Sequence, residues 1–273
     1  MKLTTYCFSP TGTSRRNMMA VANGLGIKNI AHCDFTWLNR DSSLPVLHSS
    51  RDAVLFSVPV YGGKVAPTAL ERMEKVRGEK TPAILLVTYG NRNFEQALAQ
   101  LAEFVGQRGF LPIAAATLVG EHSFSNDTYP IAVGRPDAAD LASAEEFGRK
   151  VAAKLATEED IKPVQVADGM PRLETPEASL QAFRAFVQEY QKNTVKVYPS
   201  ATEESCSHCG ECVTLCPTEA IALGHEETTD PTRCIRCCAC VKGCPSGART
   251  FLSPFAKPLA ENFQMRREPL YLL

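Results

Sequence analysis

The sequence predicts an α/β protein: a doubly wound domain on a parallel sheet of five strands, followed by a small cysteine-rich α+β domain. Three observations predict it. Strand-like apolar runs alternate with helix-like stretches over the first 156 residues, as a parallel sheet covered on both faces requires. A polar segment, Thr157 to Arg172, is broken by Pro163, Gly169 and Pro171 and reads as a linker. Nine of the 11 cysteines then fall between Cys206 and Cys244. A chain of 273 residues is long enough for about two domains.

The elements follow in order. Leu3 to Phe8 reads as a strand, and Ser14 to Asn23 as a helix capped by Ser14 or Thr13. Asn29 to Cys33 is a short strand. Asp52 to Val58 (DAVLFSV) and Ala83 to Thr88 (AILLVT) are two further strands. Phe94 to Gln107 places Ala97, Leu98, Leu101, Phe104 and Val105 at helical spacing. Leu111 to Val119 is the fifth strand. Pro136 to Leu155 is a helix with Asp137 and Asp140 in its first turn, suited to the positive helix end. Thr175 to Lys192 forms one more helix, with no partner evident from sequence. The tail from Pro254 ends in REPLYLL, which packs back on the body.

Lys+Arg 29 against Asp+Glu 30, with 44% hydrophobic residues, is ordinary for a soluble globular protein. That balance argues against a nucleic-acid or membrane-surface protein. No apolar run approaches the roughly 18 residues of a membrane span. The start, MKLTTYCFSP, does not read as a signal peptide. The expectation is a cytoplasmic protein whose clustered cysteines serve metal or redox chemistry rather than disulfides. Cys7 and Cys33 stand apart and read as buried small hydrophobes.

CSHCGECVTLCP and CIRCCACVKGCP share the spacing C-x2-C-x2-C-x3-C-P. Cys206, Cys209, Cys212, Cys216 and Pro217 recur as Cys234, Cys237, Cys240, Cys244 and Pro245, and Ala220 recurs as Ala248. A repeat this short is one unit doubled around a shared core. Thiolates suit iron–sulfur clusters and zinc. Zinc needs only two separated C-x2-C pairs, neither the fourth cysteine nor the proline. In two-cluster ferredoxins the cysteine before proline ligates the other cluster. Cys206, Cys209, Cys212 and Cys244 are therefore assigned to one [4Fe–4S] cluster. Cys234, Cys237, Cys240 and Cys216 are assigned to the second.

Residues 201–252 resemble a bacterial-type ferredoxin with two [4Fe–4S] clusters, which implies single-electron transfer at low potential. Cys238 departs from the pattern, standing where the first motif has Gly210. It reads either as a spare ligand or tuner of potential, or as a small residue in place of glycine. Glu203, Glu204, Glu211, Glu219, Glu226, Glu227 and Asp230 surround the module, as solvated surface or as a face that steers a basic partner.

At the other end, the segment Ser9-Pro10-Thr11-Gly12-Thr13-Ser14 follows the first strand and opens a helix. Free N–H groups and the helix dipole favour a dianion there, and Gly12 permits close approach. Neither a Walker loop nor a GxGxxG fingerprint is present. The segment resembles the phosphate loop of flavodoxins, which implies FMN. Two more strand ends supply loops for the isoalloxazine ring: Pro59, Val60, Tyr61, Gly62 and Gly63, then Thr88, Tyr89, Gly90 and Asn91. Gly62 and Gly63 permit a peptide that reorients beside a reduced flavin. Tyr61 and Tyr89 either stack on the ring or simply pack. His122, in the loop after the fifth strand, reads as a proton donor to flavin or as a hydrogen-bonded loop residue.

Together these segments resemble flavodoxin–ferredoxin fusion proteins of anaerobic prokaryotes. The resemblance implies a flavodoxin-like domain over 1–157, a linker with a helix over 158–200, a ferredoxin domain over 201–253 and a tail over 254–273. It implies an electron relay among two [4Fe–4S] clusters, FMN and redox partner proteins, with no catalytic side chain. The alternative is an FMN-dependent reductase of a small substrate, fed by the clusters.

Overall fold

A computed structural model describes residues 1–37, 47–157, 161–166, 173–192 and 196–273. Its strands are β1 (Leu3–Cys7), β2 (Ile30–Asp34), β3 (Leu47–His48), β4 (Ala53–Tyr61), β5 (Lys64–Val65), β6 (Arg77–Gly78), β7 (Thr81–Tyr89), β8 (Phe110–Val119) and β9 (Leu270–Leu272). Its helices are α1 (Thr13–Leu25), α2 (Pro67–Arg72), α3 (Ala97–Gly106), α4 (Ala138–Thr157), α5 (Glu177–Lys192), α6 (Glu211–Thr214), α7 (Ala239–Lys242) and α8 (Ala256–Asn262). The chain divides into two compact units. The first gathers Met1–Glu121, Gly134–Leu173 and Arg266–Leu273, and the second His122–Val133 and Glu174–Met265. Of the linker segment, residues 158–160 and 167–172 lie outside the described residues.

In the first unit five parallel strands stand in the order β2-β1-β4-β7-β8. Counting only those five, the order is 2-1-3-4-5, the flavodoxin-like form of the doubly wound fold. All nine residues of β7 and the first six of β4 are buried. A central parallel strand covered on both faces needs such continuous apolar runs. The sheet extends beyond the five parallel strands. β9 pairs antiparallel with β8, Thr117 opposite Leu270 and Ala115 opposite Leu272. The tail thus covers the free edge of β8, and Tyr271 stacks on Phe147 of α4 at 4.8 Å between ring centroids.

Helix α1 begins at Thr13, and its cap is Gly12 at φ +80°, with no side-chain cap. The expected Ser14 or Thr13 cap is corrected: Thr13 Oγ1 bonds Thr11 Oγ1 at 3.0 Å, and Ser14 is already helical. α1 packs on α4 through Gly24 and Gly148, where an added Cβ would meet backbone at 1.9 and 2.2 Å. Asp137 caps α4 from outside its first turn. Its carboxylate accepts the Asp140 N–H at 3.0 Å, and Asp140 accepts the Asp137 N–H at 2.9 Å, a reciprocal box of the capping type. Arg135 forms a buried ion pair with Asp140, both about 5% exposed or less.

In the second unit α5 finds its partner. Leu180 and Phe183 pack on a cluster of Ile131, Leu259, Ala260 and Phe263, joined by Phe124 and Tyr129. Phe183 meets Phe263 edge-on at 5.2 Å. Ser200 and Thr250 form an antiparallel bridge that closes the cysteine-bearing region. No helix among the described residues is long and apolar enough to cross a membrane.

Candidate functional site

The first unit brings its strand-end loops together as the fold requires. Ligands of doubly wound sheets bind beyond the carboxyl ends of the strands. After β1, the Gly12 N–H donates to Ser9 O at 3.0 Å and the Arg15 N–H to Ser9 Oγ at 3.1 Å. The Ser9 N–H donates to Thr36 Oγ1 at 2.8 Å, which anchors the loop to the chain after β2. Among the described residues, the N–H groups of Thr11, Thr13 and Ser14 find no acceptor. Three free donors at a helix start form an anion cradle, and a Cβ added to Gly12 would meet nothing within 4 Å. The loop therefore fits a phosphate.

Two other strand ends converge on it. A Cβ on Gly120, just past β8, would sit 2.8 Å from Thr13 Cγ2 and 3.0 Å from Thr88 Cγ2. Asn17 Nδ2 donates to Thr88 Oγ1 at 3.2 Å and to Val119 O at 3.4 Å. Tyr61 and Lys64 pair across Gly62 (φ +58°) and Gly63 (φ +80°), the two-residue hairpin whose turn needs positive φ at both centres. The Gln96 N–H donates to Gly63 O at 3.0 Å and ties this hairpin to the loop after β7.

The two tyrosines part company. Pro59, Val60 and Tyr61 are half-buried and Gly62 is exposed, so the hairpin presents a face to a ligand. Tyr89 is 2% exposed and packs edge-on against Phe94 at 5.7 Å. Burial pushes its hydroxyl up to about 12, against the lowering pull of Arg267 and Arg135. Asn91 is buried at φ +65°, while Thr88 joins the Asn17 bond above and Gly90 is half-buried. His122 Nδ1 accepts the Phe124 N–H at 3.0 Å, and its ring lies on Phe124.

In the second unit the 28-residue sequence repeat is also a repeat of conformation. The residues flanking the second cysteine of each loop are left-handed: His208 (φ 51°) and Gly210 (φ 75°), then Arg236 (φ 54°) and Cys238 (φ 62°). Each third cysteine sits in a one-turn helix, Cys212 in α6 and Cys240 in α7. The Cys206 N–H donates to Thr202 O and the Cys234 N–H to Asp230 O, both at 3.1 Å. Backbone N–H groups aim at the sulfurs. Ala220 N donates to Cys216 Sγ at 3.1 Å and Arg236 N to Cys234 Sγ at 3.4 Å. Burial alone would raise the Cys244 thiol, but N–H donors at Arg249, Ser246 and Ala248 and the Ser246 hydroxyl outweigh it and leave the thiol below its usual value. Burial pushes Cys237 up to about 12.

One cavity of this unit is lined by Cys216 together with Cys234, Cys237, Cys238 and Cys240, and walled by Pro199, Pro217, Ile221 and Ile235. The last cysteine of the first loop thus joins the first three of the second. The other half of the set differs in exposure: Cys209 is exposed, Cys206 and Cys244 half-buried, Cys212 buried. Among the described residues, no three cysteine sulfurs lie within 4.8 Å of one another. Thiolates about 2.3 Å from a single zinc would stand roughly 3.8 Å apart. The donor set is too open for one tetrahedral ion and fits a polynuclear centre. Glu226 lies off the acidic surface expected for it. It is buried, and a bond from His208 Nδ1 at 2.9 Å and the Gly224 N–H at 3.1 Å hold its carboxyl near 2.

The strand order and the paired cysteine loops define a protein with an electron-transfer redox role: a flavodoxin-like domain joined to an iron–sulfur domain. Residues 198–245 match the 4Fe-4S dicluster domain family. No curated protein matches the chain. Solved structures similar to the N-terminal part include a flavodoxin from the domain Archaea (16% identity, TM-score 0.40, 57% of this chain and 99% of that one). Oxidised flavodoxin 1 from Bacillus cereus is another (13%, 0.41, 56% and 98%), and two-electron reduced Megasphaera elsdenii flavodoxin a third (13%, 0.37, 54% and 98%). The fold assignment rests on the strand order itself. Fold and matched domain together fit a flavodoxin–ferredoxin fusion.

Proposed function

We propose that the chain is an electron carrier that holds FMN in its first unit and two [4Fe–4S] clusters in its second, and passes electrons among them and on to redox partner proteins. The observation that carries this reading is the doubled cysteine loop, in which Cys216 of the first loop lines the cavity of the second. Cys234, Cys237, Cys240 and Cys216 would hold one cluster, and Cys206, Cys209, Cys212 and Cys244 the other. When bound, the clusters supply one-electron chemistry and FMN supplies one- and two-electron chemistry.

The chain's own residues supply binding and environment. The N–H groups of Thr11, Thr13 and Ser14 and the hydroxyls of Ser9, Thr11 and Thr13 receive the FMN phosphate. Pro59, Val60, Tyr61, Gly62 and Gly63 border the ring on one side, and Thr88, Gly90 and Asn91 on another. Tyr89 shapes this border from beneath, through Phe94. Ile221 and Ile235 keep water from the thiolates of the cavity, and the amides of Ala220 and Arg236 stabilise their charge.

The test is FMN and iron per chain after anaerobic purification, on native protein and two double variants. Native protein is expected to hold about one FMN and the iron of two clusters. With crossed ligands, C216A/C234A keeps half the iron, because both losses fall on one centre, whereas C206A/C216A loses nearly all. The reverse pattern would sink the crossed assignment. No flavin after reconstitution would sink the flavin half.

A further inference from the structure

Four thiolates complete a cuboidal cluster, yet the cavity of the second loop is lined by five cysteines: Cys216, Cys234, Cys237, Cys238 and Cys240. The fifth, Cys238, is 2% exposed. Its backbone is left-handed at φ 62°, where the first loop has Gly210 at φ 75°. Glycine takes that conformation freely, and any other residue at roughly 1–2 kcal/mol. The loop therefore carries strain that a glycine would remove. Among the described residues the thiol makes one long hydrogen bond, to Arg236 O at 3.7 Å. A sulfur is thus held, at a cost in backbone energy, against the wall of the cavity where the ligands meet.

We propose that Cys238 is a reserve ligand for the centre held by Cys216, Cys234, Cys237 and Cys240, able to take over the iron bound by its neighbour Cys237. This rests on the cluster reading above. In the exchange the Cys238 thiol loses its proton and forms one S–Fe bond as the Cys237 S–Fe bond breaks, and the released Cys237 thiolate takes up a proton in its place. No electron is transferred, so no oxidant or reductant is needed. The first loop has no counterpart, because glycine stands at the matching position.

The experiment compares native chain, C238G, C237A and C237A/C238G after the same anaerobic reconstitution. Iron content and the electron paramagnetic resonance of the reduced protein are read. C238G keeps the backbone conformation and all four primary ligands, so it holds the native amount of iron. C237A keeps both centres, with one altered spectrum. C237A/C238G loses half the iron. Equal iron in C237A and C237A/C238G overturns the proposal. Native chain lacking the iron of two clusters overturns the cluster reading instead. If C237A yields no folded protein, native chain and C238G decide. Under a mild oxidant with a chelator, C238G is expected to lose half its iron several-fold faster than native chain, and equal rates overturn the proposal.

Discussion

The contact between α1 and α4 makes a prediction in which two known effects oppose each other. Gly24 lies inside α1, where alanine is normally better by about 1 kcal/mol. A Cβ at Gly24, however, would lie 1.9 Å from Glu145 O and 2.9 Å from Gly148 Cα. An ordinary carbon–oxygen contact is about 3.3 Å, so the helices must part by about 1.4 Å. The obstructing atoms are backbone, so no side-chain rotation relieves them. Overpacking of this kind costs typically about 1–3 kcal/mol and occasionally more. With backbone on both sides the upper end applies, and the net effect of Gly24→Ala is about 2 kcal/mol of destabilisation. Hydrogen exchange of α1 and α4 amides, read by mass spectrometry on the intact chain, should then speed up about 30-fold. Gly148→Ala meets Val21 O at 2.2 Å and should behave alike. Once the helices have parted for the first methyl, the second needs less, so the double variant should cost less than the sum. Unchanged or slower exchange in Gly24→Ala would show that propensity wins and that the helices do not touch through this pair.

Other outcomes follow from single interactions. Thr11→Val removes one hydroxyl from the cradle, and a hydrogen bond to a charged group is worth about 1.5 kcal/mol or more. FMN should bind about tenfold more weakly and riboflavin, which lacks the phosphate, as before; equal loss for both would place Thr11 elsewhere. Asp137 is held well below the usual carboxylate range, first by the bond from Arg266 and then by the Asp140 N–H. Its folded value lies below its unfolded one of about 3.9, so its contribution is present above that pH and fades as pH falls through the folded value. The stability gap between native chain and Asp137→Asn should therefore be wide at pH 6, begin to shrink below about pH 4 and close only as pH falls through the folded value, and a pH-independent gap would refute the assignment. Iron removal by a chelator should release exchange protection across residues 201–252 while leaving α1 and α4 protected; retained protection across 201–252 would show that this region stands without metal.

What was legible in the sequence was local. The strands β4, β7 and β8 announce themselves by nearly continuous apolar runs, whereas β2 (IAHCD), at the sheet edge and mostly half-buried, gives only a weak signal; the cysteine loops announce themselves by their doubled spacing. What escaped depended on distant partners. Nothing in Leu270, Tyr271 and Leu272 names β8 as their neighbour, because the free edge exists only after the sheet has formed. The partner of α5 is assembled from Ile131, Leu259 and Phe263, far apart in the chain. Tyr61 and Tyr89 look alike at two strand ends, yet Tyr89 is still inside the sheet, opposite Val119, while Tyr61 lies at a hairpin beyond it. Pairing register separates them, and register is a property of two strands. The reading of Ser14 or Thr13 as helix cap failed because the helix already begins at Thr13, with left-handed Gly12 in the cap position.

The cysteine loops carry a further consequence for how the second unit is held together. Among the described residues of the cysteine loops and the segments after them, four non-glycine residues are left-handed: His208, Glu219, Arg236 and Cys238. At roughly 1–2 kcal/mol each, that strain is comparable to the net stability of a small domain. The apolar cluster beneath the loops consists of Cys212, Ile221 and Cys240, with Val213, Cys216 and Val241 against it. Three of those six are assigned ligands, so little of that cluster is independent of the metal, unlike the cysteine-free cluster of Ile131, Leu259 and Phe263. Glycine meets the left-handed requirement at Gly210 and Gly247, but the matching positions of the other loop hold Cys238 and Glu219. Backbone preference alone therefore does not impose the shared conformation. Thiolate–iron bonds, which can contribute folding free energy outright when a small domain closes around metal, are the interaction strong enough to do so.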